Sequence, residues 1–246
     1  MPSNRIRAFS VAAGLVLFAG IARPENPNAA LPASLAAPAI VEQMLRHNRA
    51  QAEQLKHYQE LRHYQVQYKG FSANLVGKMD VSVTFDAATG KSFRIVSQSG
   101  SKLLCDKVLK KAVDSEVEAA HDQNATALTP ANYQFELAGI ETVDGRPAYV
   151  LTVVPVTNSK FLYRGKIWVD AADFALTRIK AEPAKNPSFW IQRPQITFSS
   201  TKTGDFWLPT SNRSETKVRV GGTAVFTIDY GTYQIDAVAS HATATR

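Results

Sequence analysis

One cysteine, Cys105, stands in 246 residues, so no internal disulfide can form. Small exported domains with a thin core usually lean on such cross-links; this chain is long enough to be held by a core of its own. The uncharged, mostly apolar run Ala8 to Ala22 has 15 residues, short of the roughly 20 that a membrane-spanning helix needs. Histidines are few. His47 and His57 stand too far apart on one predicted helix to share a metal, and His63 falls on a polar strand face. No metal site is therefore read. The chain also lacks G-x-S-x-G, H-E-x-x-H and any Gly-rich phosphate loop after a strand. The expectation is a protein that is not an enzyme and uses no cofactor.

Dense charge clusters are missing too. The net charge is +7, but the basic residues are scattered along polar strand faces. Nucleic acid is not an expected partner; peripheral contact with an anionic membrane surface is compatible with the excess. Glu116 and Glu118 stand on a helix with a charged outward side and read as salt-bridged surface.

What is present begins with a leader. Arg5 and Arg7 precede the apolar run, and Gly20 and Ala22 offer a small-residue cleavage position. Residues 1–22 are expected to be a cleaved signal peptide. No cysteine stands directly after it, so no lipid anchor is expected. A Pro/Ala-rich linker, 23–37, then leads to one domain over 38–240.

That domain opens with a helix of about 20 residues, on which Val41, Met44, Leu45, Asn48, Ala52 and Leu55 form one stripe. Period-two alternation follows. Tyr64, Val66 and Tyr68 oppose His63, Gln65 and Gln67, while Met79, Val81, Val83 and Phe85 lead through a turn to Phe93 and Ile95. Tyr133, Phe135 and Leu137 reach the Asp144-Gly145 hairpin signal, and further strands fall in 148–156, 161–170, 174–182, 195–201, 206–210, 212–220 and 224–235. Alternation of this kind belongs to antiparallel sheets buried on one face. The one interruption, 101–121, is a second amphipathic helix that carries Cys105 in its apolar stripe. The predicted fold class is mainly β (α+β): a curved antiparallel sheet of about ten or eleven strands, since so wide a sheet must twist, curl or close. It would form a half-open barrel with the two helices as its lid.

The order and spacing of several short segments resemble the LolA/LolB-like lipoprotein-sorting proteins, and more closely the broader LolA-like group. These segments are Gly165-Lys166-Ile167-Trp168-Val169-Asp170 with Leu176-Thr177-Arg178-Ile179, then Asp144-Gly145-Arg146 before Tyr149-Val150-Leu151, Pro187-Ser188-Phe189-Trp190, and Phe206-Trp207-Leu208-Pro209. The resemblance covers most of 41–233; the middle helix is longer than in the best-known carriers. It implies a periplasmic carrier without catalysis, holding lipoprotein acyl chains or another lipid between sheet and helices. The alternative it leaves open is a sensor or regulatory module of the same fold that engages an envelope protein.

Candidate cavity and rim residues follow from the alternation and the aromatic positions: Met44, Leu45 and Leu55 on the lid helix, Val66, Tyr68, Val81, Val83, Phe135 and Leu137 on the wall, and Trp168 and Trp190 at the mouth. The opening helix is expected to lie across the wall that Val66, Val81, Phe135 and their neighbours form. The segment 183–194, with three prolines around Phe189-Trp190-Ile191, is expected to be an apolar-tipped rim loop.

Overall fold

The computed structural model describes residues 35–71, 73–186, 189–219 and 221–237. The predicted leader, residues 23–34 of the predicted linker and residues 238–240 lie outside them. Eleven strands form one antiparallel sheet: β1 (Leu55–Lys69), β2 (Asn74–Asp86), β3 (Gly90–Gly100), β4 (Tyr133–Val143), β5 (Arg146–Pro155), β6 (Tyr163–Asp170), β7 (Leu176–Pro183), β8 (Ile191–Thr203), β9 (Phe206–Val218), β10 (Thr223–Tyr230) and β11 (Gln234–Ala237). Their order is β3-β2-β1-β10-β9-β8-β7-β6-β5-β4, with β11 beside the start of β1. The sheet is curved and unclosed, as the half-open barrel requires.

This order explains the helices. β3 and β4 follow one another in the chain yet stand at opposite edges of the sheet. The chain between them has to cross the opening. It does so as α2 (Lys102–Leu104), a π-helical turn (Cys105–Leu109), α3 (Lys110–His121) and α4 (Gln123–Thr126). In the π turn the Lys110 N–H reaches back to the Cys105 carbonyl, a one-residue widening of the kind that often marks functional helices.

Local chemistry fixes the hairpins. Asp144 and Gly145 both take positive φ, +50° and +82°, which is the two-residue turn that this dipeptide favours. At Gly165 β6 runs so close to β7 that a Cβ would fall 2.3 Å from the Lys180 carbonyl oxygen. No side chain fits there.

Several boundaries differ from those expected of the sequence. The opening helix, α1 (Ala37–Gln54), stops before Leu55, which is already extended and begins β1. β1 is longer than the expected strand because Tyr58, Glu60 and Arg62 continue the inward phase of Tyr64 and Val66. Their charges had hidden the alternation. The expected strands 206–210 and 212–220 are one strand, β9, while 224–235 is split at Gly231, whose N–H still donates to the Leu61 carbonyl.

Two apolar clusters fill the concave side. In the first, Ile40, Val41 and Met44 of α1 pack on Tyr133, Tyr149, Leu151, Ile167, Ile179 and Phe198 of β4 to β8. In the second, Leu104, Cys105, Leu109 and Val113 pack on Tyr58, Tyr64, Val66, Met79, Val81 and Val83 of β1 and β2. Between them runs β9. Its Asn212 and Ser214 stand opposite Ile228 and Phe226 on one side and Phe198 and Ile196 on the other. Over this stretch β9 sets polar side chains between the two halves, while its Phe206 and Leu208 belong to the second cluster.

Candidate functional site

The predicted site residues divide between the two clusters. Met44, Leu45, Phe135 and Leu137 belong to the α1 half. Leu55, Val66, Tyr68, Val81 and Val83 belong to the half under the middle helix. α1 therefore does not lie across Val66, Val81 and Val83; the helices of 102–121 do. Leu55 faces this core from the first position of β1, not from the lid. Trp168 sits on the other face of the sheet, with Val143, Ala148 and Val150, and donates its indole N–H to Glu141 at 2.8 Å. It does not face the concave side, because Ile167 and Val169 take that phase of β6. Trp190 is half-buried beside the exposed Phe189, edge to face at 5.5 Å, and Arg219 covers the Phe189 ring at 4.6 Å.

The sequence reading missed the interior's polar centre. Glu60, Arg62 and Glu116 are all buried. Arg62 donates from Nε and Nη2 to Glu60 Oε1, at 2.8 and 2.6 Å, and from Nη1 to Glu116 Oε2. Tyr64 donates its hydroxyl to Glu116 Oε1 at 2.7 Å. Burial alone would lower the Arg62 pKa, but the charges of Glu116 and Glu60 outweigh it and hold the guanidinium firmly protonated. Its plane also lies against Tyr230, at 4.7 Å, and Phe93, at 5.6 Å. Glu116 is thus not the surface acid expected; Glu118 is, paired with Lys160 in solvent. The signal for Glu60 and Arg62 was the phase they share with Tyr58, Tyr64 and Val66.

Around this centre the wall is incompletely covered. Tyr68, Phe85, Phe93, Phe226, Tyr230 and Tyr233 pack against the second cluster but are only partly buried. Register puts Phe93 beside Val83, Tyr230 beside Arg62 and Phe226 beside Val66, all on the concave face. The helices over this half reach the β1–β3 side, and these rings are left around the edge of the cover.

The segments that carried the family resemblance meet elsewhere, at a corner of the fold. Arg146 clasps Asp170 with Nε and Nη2, at 2.7 and 3.0 Å. Asp170 caps the β6–β7 turn by accepting from the N–H groups of Ala172 and Asp173. Asp173 accepts from Trp207 Nε1 at 2.9 Å and from Lys202 at 3.0 Å. The Trp207 backbone N–H in turn donates to Gln51 Oε1, tying α1 to β9. Nearby, burial lowers the His47 pKa below its ordinary value, offset in part by Asp173. These bonds join α1, β5, β6 and β9 at one corner.

One further polar line crosses the outer face. His63 Nδ1 and Ser97 Oγ both contact Asp80, at 2.8 and 2.6 Å. The carboxylate stands between hydroxyl and imidazole, so the histidine does not activate the serine. Among the described residues no group of three or more His, Cys, Asp or Glu is placed to hold a metal, and no helix is long and apolar enough to cross a membrane.

No known family profile matches the chain, and no curated protein matches it. Solved structures do. A LolA superfamily protein from Nitrosomonas europaea is similar over 83% of this chain and 96% of its own, at 12% identity and TM-score 0.37. A DUF1329 family protein from Desulfovibrio piger is similar over 82% and 94%, at 14% identity and TM-score 0.41. A putative outer membrane lipoprotein-sorting protein domain from Vibrio parahaemolyticus is similar over 81% and 92%, at 10% identity and TM-score 0.37.

Proposed function

We propose that the chain is exported to the periplasm and there binds an apolar ligand, a lipid tail or the acyl chains of a lipoprotein, as a carrier without catalysis. The observation that carries this reading is the half-covered aromatic wall of β1, β2, β3 and β10. A finished core would bury such rings, because each buried methylene gains about 0.8 kcal/mol. Here several large rings share one concave face and stay partly in water. A chain of methylenes laid along Phe226, Tyr68 and Phe93 would remove that surface from solvent without any specific polar anchor.

The test is a titration with a fluorescent fatty acid. Saturable binding in the micromolar range, roughly −8 kcal/mol, is expected. Ala224 lies on the same face, opposite Tyr68, and is only partly buried. Ala224→Trp should fill that stretch of wall and weaken binding tenfold or more. Saturable binding that Ala224→Trp leaves unchanged would place the ligand away from this wall.

A second reading, an interaction module for an envelope protein, draws on one feature. β3 is an unpaired sheet edge that exposes Ile95 and Val96, and such edges accept an added strand.

A further inference from the structure

Glu60 carries the one buried polar atom of this centre that has no hydrogen-bond partner. Both Arg62 bonds fall on Oε1; Oε2 is buried and has no partner. Its side chain is wholly out of solvent. Glu116, by contrast, has both oxygens engaged. Two carboxylates and one guanidinium also leave one negative charge in excess. Lys91 shares this face opposite Phe85, but it makes no ion pair with Glu60. An unpaired buried acceptor is costly, and an unbalanced buried charge more so.

The surroundings of Glu60 favour a cation. Along β1 its neighbours on the same face are Tyr58 and Arg62, and Val83 stands across from it on β2. Tyr58 stacks on Phe85 at 5.3 Å and meets Tyr233 edge-on at 5.4 Å. Phe93 and Tyr230 already face the Arg62 guanidinium, whereas among the described residues no cation is stacked over the rings of Tyr58, Phe85 or Tyr233. Burial first, and the Glu60 charge second, keep the Tyr233 phenol protonated; its hydroxyl is spent on the Pro209 carbonyl at 3.0 Å. It offers its ring, not a bond. Phe85 and Tyr233 are only partly buried, so the rings beside Glu60 also border the half-covered wall.

We propose that this corner, built by Glu60 Oε2 and the rings of Tyr58, Phe85 and Tyr233, seats an ammonium group borne on an apolar chain. The inference rests on the apolar-ligand reading and specifies the ligand's head. An N–H of the ammonium donates to Glu60 Oε2, its charge balances the centre, and the ring faces attract it. A fatty acid carboxylate would meet Glu60 with like charge. The ammonium source is either a free long-chain amine or an aminolipid head group.

Dodecylamine, dodecanol and dodecanoate, each below its micelle concentration at pH 7.5, test this by competition with the fluorescent probe. Dodecylamine should bind at least tenfold more tightly than dodecanoate and more tightly than dodecanol. Glu60→Gln keeps the shape but removes the charge, so it should bring the three within about twofold. Should Glu60→Gln fail to fold, Phe85→Leu serves: it should weaken dodecylamine several-fold and leave dodecanol nearly unchanged. Lysophosphatidylethanolamine binding as well as dodecylamine identifies a lipid-borne source; dodecylamine alone identifies a free amine. Equal affinity for all three chains in the parent protein would overturn the ammonium seat and leave the apolar site standing. No binding of any chain overturns both.

Discussion

Arg62→Met should destabilise the protein by about 3–5 kcal/mol, a large share of the 5–15 kcal/mol that typical domains possess. The substitution keeps most of the side chain's volume but leaves Glu60 and Glu116 buried without their shared cation. It also strips the cation from the Tyr230 and Phe93 rings. Chemical denaturation reads the effect directly. Adding Glu60→Gln and Glu116→Gln to Arg62→Met should recover part of the loss, because no uncompensated charge then stays inside. The surface pair gives the contrast. Glu118 and Lys160 are exposed to solvent, so Glu118→Gln should cost no more than about 1 kcal/mol. If Arg62→Met unfolds at the parent's denaturant concentration, the centre is not the buried ion cluster described.

The second large effect lies in the cover over the same wall. Leu109 closes the π turn and is completely buried against β1 and β2. Leu109→Ala should cost about 2–5 kcal/mol, the transfer term plus the cavity left behind. The native thiol reports where that loss falls. Cys105, four residues earlier, is buried with its Sγ 3.4 Å from the Ser99 carbonyl oxygen. Loosening the turn should make a thiol reagent label Cys105 several times faster. Because the helix and a ligand compete for neighbouring parts of one wall, weakening the closed form should also tighten apolar-probe binding. Leu103, on the same helix but 60% exposed, is the control: Leu103→Ala should change neither rate nor affinity. Unchanged Cys105 labelling in Leu109→Ala would mean that this helix does not gate the wall.

The strands were legible wherever alternation was apolar. Met79, Val81 and Val83 announce β2 and its buried face, and Asp144-Gly145 announces its hairpin. Legibility failed where a buried face carried charge. Glu60 and Arg62 occupy inward positions that look outward by composition, and Glu116 passes for one more acid on a charged helix. Glu60 has its partner two residues on, but Arg62 and Glu116 stand 54 residues apart in sequence, and nothing local points from one to the other. Trp168 was misplaced for the opposite reason. Ile167-Trp168-Val169 is apolar without alternation, because the end of β6 is buried on both faces, inside by the α1 cluster and outside where Trp168 lies beside Val143, Ala148 and Val150. Such a run cannot choose a face. The position of α1 was hidden by topology: it is joined to β1 in the chain, yet it packs on β4 to β8, and only the strand order reveals that the wall is split.

Val83 shows how this placement changes an experiment. From the sequence it was a natural position for filling a cavity, but it is fully buried under the middle helix. Val83→Trp would overpack a closed core and cost stability, typically about 1–3 kcal/mol. The partly buried Ala224 is the sounder place to obstruct a ligand.

The central claim, that the concave face takes up an apolar chain, is tested most directly by what the protein carries. The protein should be purified from its native envelope without detergent, and its organic extract weighed against protein by mass spectrometry. The account predicts an equimolar long-chain lipid, lost from Ala224→Trp. Lipid-free protein accompanied by a stoichiometric protein partner would contradict it and favour the interaction module at the β3 edge.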